Sequence, residues 1–265
     1  MKITLRAWPT LLVGVVVLVV LAVANGVTWT DLRHLGTSRN ALVEEGVEWR
    51  IPLPEGPPYR STPEVDVTTD GSYAFTFEDQ GEPVRYDPCR PVEWYHNTTD
   101  MPAGADIFVH DAVDQIAAAT GLTFDYQGTT TEAVSFERPI LADDGQRFAP
   151  VVLGWSTPEQ SADLEDGVAG VAGSRAVPGA YGEQRYLVNG VVVMNADSVR
   201  ALMTYPGGRK LATAVVMHEF GHVVGLAHVD DPAELMYEQS LSLTQWGPGD
   251  LAGLAIAGAG PCQDP

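Results

Sequence analysis

The sequence predicts an α/β fold of the α+β type, built on a twisted, mostly parallel five-stranded sheet with two packed helices. Strand-like and helix-like segments follow one another from about residue 86 in the order β-α-β-β-β-β-α. Connections between parallel strands cross over to the right and place their helices against the sheet. The chain of 265 residues, 45% of them hydrophobic, is long enough to bury one such core.

The first strand is predicted at "PVEWYHN", and the first helix from about Ala105 to Thr120, closed by Gly121. Apolar residues recur in this helix at near-helical spacing: Ile107, Val113, Ile116 and Ala117. The remaining strands are predicted where apolar runs are separated by turn-rich segments: "LTFDYQ", "APVVLGWS", "GVAGVAGSRA" and "YLVNGVVVMN".

The second helix is predicted from about Gly208 to Leu226, and a short C-terminal helix from Pro248 to Ala257. The second helix is apolar on nearly every side, which predicts that it is buried. A buried helix holds its side chains rigidly.

The second helix carries the motif "HEFGHVVGLAH", which contains three of the six histidines of the chain. Residues i and i+4 share one face of a helix, so His218 and His222 can direct their rings at one site. Glu219 follows the first histidine and can take a proton from a water molecule there. His228 reaches the same site only if the chain folds back, and Gly225 can adopt the positive φ that this requires.

Three neutral imidazoles with one open position are typical of a catalytic zinc site, since structural sites are usually closed by four ligands rich in cysteine. Each histidine taken singly could be an ordinary residue of a packed helix. The complete HExxHxxGxxH spacing, with Glu219 beside the first ligand, favours the zinc site.

The extended motif resembles the signature of the metzincin clan of zinc peptidases, in which a methionine turn follows the motif. Three further segments are similar to matrixin-like peptidases of the bacterial secreted type: "GEPVRYDPCRPVEWYHN", "ATGLTFDY" and "LVNGVVVMNAD". The resemblance covers roughly residues 72 to 265. It implies a metzincin-like zincin fold, one catalytic Zn²⁺ held by the three histidines, and Met236 packed beneath the zinc. The alternative for Met236 is a flexible core residue.

The resemblance also implies a peptide or protein substrate that pairs with an edge strand of the sheet. The segment that matches this strand is "GVAGVAG", which contains Gly170. A glycine-rich strand is equally often only a weak edge. Val215 is expected to line the pocket for the side chain after the scissile bond, which favours an apolar residue there.

The formal net charge is −20, from 15 basic and 35 acidic residues. Such a charge repels nucleic acid and anionic membrane surfaces, so neither is expected as a partner. We expect a monomer.

The chain begins with Lys2 and Arg6, followed by an apolar run that ends near Ala24. This is the charge order of an export signal, so residues 1–24 are predicted to be a signal peptide or an uncleaved membrane anchor. An uncleaved anchor would be held in the membrane through residues 7–24. Both alternatives place the remainder outside the cell, either secreted or anchored to the membrane.

Residues 25–71 are rich in proline, glycine and charge and are predicted to be a stalk or a propeptide. The segment "SYAFTF", residues 72–77, alternates like a strand and is taken as the start of a catalytic domain over residues 72–265.

Cys89 and Cys262 are the two cysteines of the chain. An even number of cysteines in an exported protein favours a disulfide, which would tie the start of the domain to its tail. The alternative, Cys89 as a thiolate on the zinc, would leave Cys262 unpaired.

The sequence therefore predicts a zinc metalloendopeptidase that acts on extracellular proteins, with Glu219 as general base. The alternatives are a non-catalytic, zinc-stabilised binding module on the cell surface and a zinc hydrolase of a non-peptide amide. Calcium is possible but unsupported, because "ADDGQ", residues 142–146, reads as a turn. His96 and His110 are expected to be surface or hydrogen-bonded histidines and not ligands of a second metal.

Overall fold

The computed structural model describes residues 41–44, 47–50, 59–143, 147–164, 168–179, 184–239 and 242–262. The predicted signal or anchor at residues 1–24 lies outside these ranges. Among the described residues, none of the helices combines the length and the apolar character needed to cross a membrane.

Nine strands and four helices occur in the described part of the chain. The strands are β1 Ala41–Glu44, β2 Val47–Arg50, β3 Glu78–Asp79, β4 Glu82–Pro83, β5 Val92–Asn97, β6 Phe124–Thr130, β7 Val151–Ser156, β8 Gly170–Pro178 and β9 Arg185–Asn195. The helices are α1 Ala105–Thr120, α2 Ala196–Met203, α3 Gly208–Val223 and α4 Pro248–Ala257.

The predicted α/β fold with a mostly parallel five-stranded sheet is confirmed. The strand order is β6-β5-β7-β9-β8, and all neighbouring pairs are parallel except β8 and β9, which are antiparallel. Helices α1, α3 and α4 contribute to one hydrophobic core with residues from β5, β7 and β9. Strand β9 is buried along almost its whole length, and β8 forms the edge of the sheet.

Helix α2 was missing from the sequence prediction. Its first turn is capped by Asn195, whose side-chain oxygen accepts hydrogen bonds from the backbone N–H groups of Asp197 and Ser198, both at 3.1 Å. This helix has only 8 residues and follows directly on β9, so its apolar periodicity is too short to stand out.

Helix α3 ends at Val223 and not at the predicted Leu226. The chain turns at Gly225, which has a φ of 104°. A side chain would be strained in that conformation, and a β-carbon there would stand 3.0 Å from Leu187 Cδ1. The turn redirects the chain toward His228.

Residues 72–77 do not form the strand that their alternation suggested. Instead, Phe75 forms an isolated β-bridge with Leu226 in the loop after α3. The backbone N–H of Thr76 donates to Gly225 O at 2.9 Å, and that of Ala227 donates to Ala74 O at 2.9 Å. This short segment therefore supports the loop that carries the chain to His228.

The segment before residue 72 also contacts the domain. Arg60 donates to Gly258 O at 2.8 Å, at the end of α4, and Thr62 donates to Gly121 O at the end of α1. These contacts supply donors to helix carbonyls that lack partners within their own helices. The domain boundary at residue 72 stays a prediction.

Cys89 and Cys262 form the predicted disulfide, with their Cα atoms 5.3 Å apart. The thiolate alternative for Cys89 is therefore wrong. The bridge joins residues separated by 173 positions, a loop for which the chain-entropy model gives a stabilisation of about 5 kcal/mol. It fastens the tail after α4 to the segment before β5.

Candidate active site

The rings of His218, His222 and His228 meet at one point above helix α3. The Nε2 atoms of His218 and His222 lie 3.2 Å apart, and each lies 3.1 Å from Nε2 of His228. These separations are close to the ~3.3 Å edge of a tetrahedron whose metal–nitrogen bonds are about 2.0 Å long. The three nitrogens thus form a triangular face that fits a zinc ion.

Backbone carbonyls orient two of these rings. The Nδ1 atom of His218 donates to Leu235 O at 2.7 Å, and Nδ1 of His222 donates to Leu226 O at 2.9 Å. The hydrogen is assigned to Nδ1 because a carbonyl oxygen can only accept. In the neutral rings, Nε2 then carries a free lone pair, as a metal ligand requires.

Burial keeps these two histidines neutral. It is the largest cause that lowers the pKa of His218 to about 4 and that of His222 to about 3. Repulsion from neighbouring histidines, when these are protonated, lowers both pKa values further. Both rings are therefore free of the competing proton at neutral pH, which favours metal binding.

Glu219 lies beside the histidine triangle and is only 5% exposed. Burial raises the pKa of its carboxyl to about 8. Such a carboxyl holds or releases a proton near neutral pH, which suits a general base that later acts as an acid. A cation bound at the neighbouring histidines would favour its ionised form.

Met236 packs against helix α3, which carries two of the three histidines. It is 1% exposed, and its sulfur packs against Gly221, which lies on α3 between Glu219 and His222. A β-carbon on Gly221 would stand 2.6 Å from Met236 Sδ. The glycine in the zinc motif therefore makes room for the methionine.

Two buried carboxylates hold the turn that carries Met236. Asp250 accepts hydrogen bonds from the backbone N–H groups of Leu235, Met236 and Gly247. The two carboxylate oxygens of Glu234 each accept a bond of 2.9 Å, one from Gly249 N and one from Asp250 N. These bonds attach the methionine turn to the start of α4.

Sequence reasoning missed both carboxylates of this turn, Glu234 and Asp250. The only local signal was an acidic residue in the first turn of α4, which is common at helix starts. Neither the bond from Leu235 N–H to Asp250 nor the bond that His218 Nδ1 donates to Leu235 O follows from local spacing. The turn therefore orients a candidate metal ligand as well as supporting Met236.

The histidines open into a cleft of about 1200 Å³. The start of β8 forms one wall, where Gly170 faces Glu219, and Val215 lies on the α3 side. Tyr237, directly after Met236, also lines the cleft. The structure thus places both predicted cleft residues, Val215 and Gly170, beside the candidate metal ligands.

His96 and His110 lie away from this cleft. His96 is fully buried on β5, and its Nε2 accepts a hydrogen bond of 3.0 Å from Trp155 Nε1. The ring of His110 packs at an angle against Trp94 and edge-on against Tyr126. Asp106 lies 3.5 Å from His96 and 3.8 Å from His110, so an exposed carboxylate connects the two rings.

Replacing Glu219 with glutamine is expected to make the metal-free protein more stable than the wild type, by an amount that increases as pH rises. The carboxyl has an ordinary pKa of 4.5 in the unfolded chain and one of about 8 when folded. Between these values the folded state binds more protons, so the free energy of unfolding of the wild type falls by up to ~1.4 kcal/mol per pH unit. Glutamine does not titrate and escapes this loss.

Urea unfolding of both proteins in excess chelator, from pH 4.5 to pH 8, measures the difference. The histidines titrate in both proteins, so their contribution cancels. A difference that stays constant over this range would contradict the buried, protonated state of Glu219.

The sequence matches the family model of the matrixins, a group of zinc peptidases, over residues 149–245. That range begins just before β7 and ends just before α4, and it includes all three histidines, Glu219 and Met236. No curated protein sequence matches the chain.

Three solved structures are similar to parts of the chain. The GM1-bound form of the ECX AB5 holotoxin is 13% identical, with 66% of this chain and 82% of that chain covered and a TM-score of 0.37. An archaemetzincin from Methanopyrus kandleri is 17% identical, with 56% and 82% covered and a TM-score of 0.35. Metalloproteinase-II from Bacteroides fragilis is 13% identical, with 63% and 51% covered and a TM-score of 0.32.

The likeness to zinc peptidases therefore rests on the family match and not on these three structures. Zinc and a peptide or protein substrate are what a matrixin match implies. The resemblance to metzincin-like zinc peptidases, predicted from the histidine motif, is therefore confirmed, with the matrixin match spanning residues 149–245.

Proposed function

We propose that this protein is an exported zinc endopeptidase that cleaves peptide bonds of extracellular proteins. The observation that carries the proposal is the triangle of Nε2 atoms at 3.1–3.2 Å with a buried carboxylate beside it, open to a cleft. A purely structural zinc site has no need of Glu219 at that position.

His218, His222 and His228 would hold the zinc ion. A zinc ion bound there supplies a Lewis acid that lowers the pKa of water and polarises a carbonyl group. Glu219 transfers the proton. Its carboxylate takes a proton from the water molecule as that water attacks the peptide carbonyl. The same carboxyl then delivers this proton to the leaving amine, so it ends the cycle in its starting state.

Strand β8 supports the endopeptidase assignment. It pairs with β9 on one side only, and its residues from Gly170 onward line the cleft. An extended peptide could add to this edge through backbone hydrogen bonds, which position the scissile bond without requiring a particular sequence. Val215 and Tyr237 would then favour an apolar or aromatic side chain after the scissile bond.

The test is cleavage of a mixed peptide library by the purified protein, with products identified by mass spectrometry. The proposal predicts internal cleavage that stops in excess chelator and returns when zinc is added. Cleavage that continues at full rate in chelator would contradict it. Zinc binding without cleavage of any peptide would favour the binding module. Hydrolysis of a non-peptide amide substrate, assayed in parallel, without cleavage of any peptide would favour the other zinc hydrolase.

A further inference from the structure

The edge strand begins in direct contact with the general base. A β-carbon on Gly170 would stand 2.9 Å from both Cγ and Oε1 of Glu219, and 3.0 Å from Cδ. Real β-carbons almost never approach other atoms so closely. Only a residue without a side chain can lie at this point of β8 while Glu219 keeps its position.

The start of the strand is held firmly in place. Asn195, which is 3% exposed, donates from its backbone N–H to Ala169 O and from its side-chain amide to Val168 O, both at 2.9 Å. The same side chain caps α2 through its oxygen. Because Asn195 is tied to two elements, the backbone at Gly170 cannot easily move away from Glu219.

Another glycine in the same strand lacks this contact. A β-carbon on Gly173 would meet only Phe136 Cε1, at the ordinary van der Waals distance of 3.7 Å. Both glycines lie in strand β8, so neither is there for a left-handed backbone. The close approach to Glu219 is therefore specific to Gly170.

We propose that Gly170 is a positioning residue. Because it has no side chain, its backbone packs directly against Glu219 and holds the carboxylate in the position that proton transfer requires. This inference rests on the proposed peptidase function. Glu219 projects from α3 into the cleft, and its aliphatic stem and carboxylate pack against the strand start that Asn195 fixes. Gly170 itself touches neither the peptide bond nor the histidines in this role.

Gly170→Ala is expected to displace the Glu219 carboxylate while the histidine triangle stays intact. A displacement of about 1 Å at a reacting group can lower kcat by about 10- to 100-fold. Zinc content should remain near that of the wild type, because a methyl group at Gly170 would meet only Glu219 among its nearest neighbours. KM should change much less than kcat, since peptide pairing uses the backbone of β8.

The matched control is Gly173→Ala, which places the same methyl group elsewhere on β8. Any effect of a methyl group on peptide pairing would appear in KM for both variants. Because Gly173 also belongs to the peptide-pairing edge, this variant measures what a methyl group does to that edge without the contact to Glu219. The inference predicts a loss of kcat in Gly170→Ala beyond whatever change Gly173→Ala shows.

The experiment measures kcat, KM and zinc content for the wild type, Gly170→Ala, Gly173→Ala and Glu219→Ala, together with crystal structures of both glycine variants. A kcat below that of Gly173→Ala, with zinc retained and Glu219 displaced in Gly170→Ala only, would support the inference. An unmoved Glu219, a kcat equal to that of Gly173→Ala, or a loss of zinc from Gly170→Ala would overturn it. An inactive wild type would instead refute the proposed function, and the position of Glu219 in the crystal would still decide whether Gly170 holds it.

Discussion

Replacing Glu219 with alanine is expected to lower kcat by about 10³-fold while zinc remains bound. The carboxyl is the buried acid–base group beside the histidine triangle, and burial raises its pKa to about 8 in the metal-free protein. A cation at the histidines favours the ionised carboxylate, which is the form that a general base needs. Alanine removes this group but leaves the three imidazoles in place, together with the carbonyl partners of His218 and His222. The loss should therefore appear in kcat, with little change in KM.

Steady-state kinetics on a peptide from the library, with zinc measured in the same samples, checks this expectation. Glu159→Ala is a suitable control because it removes an exposed carboxylate outside the cleft. Glu219→Ala with full zinc content and nearly full kcat would show that another group transfers the proton. Loss of zinc from Glu219→Ala would make the kinetic comparison unsuitable and would assign Glu219 a role in the metal site itself.

Replacing Asp250 with alanine is expected to destabilise the metal-free protein by about 3 kcal/mol or more. Asp250 is 1% exposed and accepts from three backbone N–H groups. Alanine leaves these donors buried without their acceptor, at about 1 to 3 kcal/mol each. The methionine turn would also lose its attachment to α4.

The same substitution should weaken zinc binding. Leu235 donates its N–H to Asp250 and offers its carbonyl to Nδ1 of His218. Losing a group that orients a metal ligand typically lowers metal affinity by about 10- to 100-fold. Asp250 thus acts on His218 through one intervening residue.

Urea unfolding in chelator measures the first effect, and competition with a chromogenic zinc chelator measures the second. Asp230→Ala is the control, because it removes an exposed carboxylate from the nearby loop. An Asp250→Ala protein as stable as Asp230→Ala, with equal zinc affinity, would show that the turn holds its shape without the carboxylate.

Much of the site could be predicted because most of its residues lie close together in the sequence, at spacings that a helix brings to one face. His218 and His222 lie on one helical face at i and i+4, and Glu219 follows from the same helix. The bounds of α1 and α4 were also predictable, since Gly121 and Pro248 mark a helix end and a helix start.

The remainder depends on contacts between segments that are far apart in the chain. Thr76 and Gly225 pair across about 150 residues, and no periodicity in "SYAFTF" distinguishes such a bridge from a strand. Likewise, Asp250 gave the signal of an ordinary helix start, although its carboxylate holds the methionine turn. The contact between Gly170 and Glu219 appears only once β8 and α3 have packed.

The direction of β8 was also beyond local reasoning. Its alternation predicts a strand but not its orientation, and β8 proves to be the one antiparallel neighbour in the sheet. A strand that follows β7 after a loop without a helix does not have to run parallel to it. This orientation matters because it brings Gly170, at the start of β8, next to Glu219.

The most direct test of the central claim is a zinc titration of the metal-free protein in which bound zinc and peptide cleavage are measured in the same samples. One zinc ion held by His218, His222 and His228 predicts cleavage that rises in proportion to bound zinc and reaches its plateau at one equivalent per chain. Cleavage by the metal-free protein, or zinc bound at one equivalent with no cleavage at any point, would contradict the assignment of this site as the centre of a zinc peptidase.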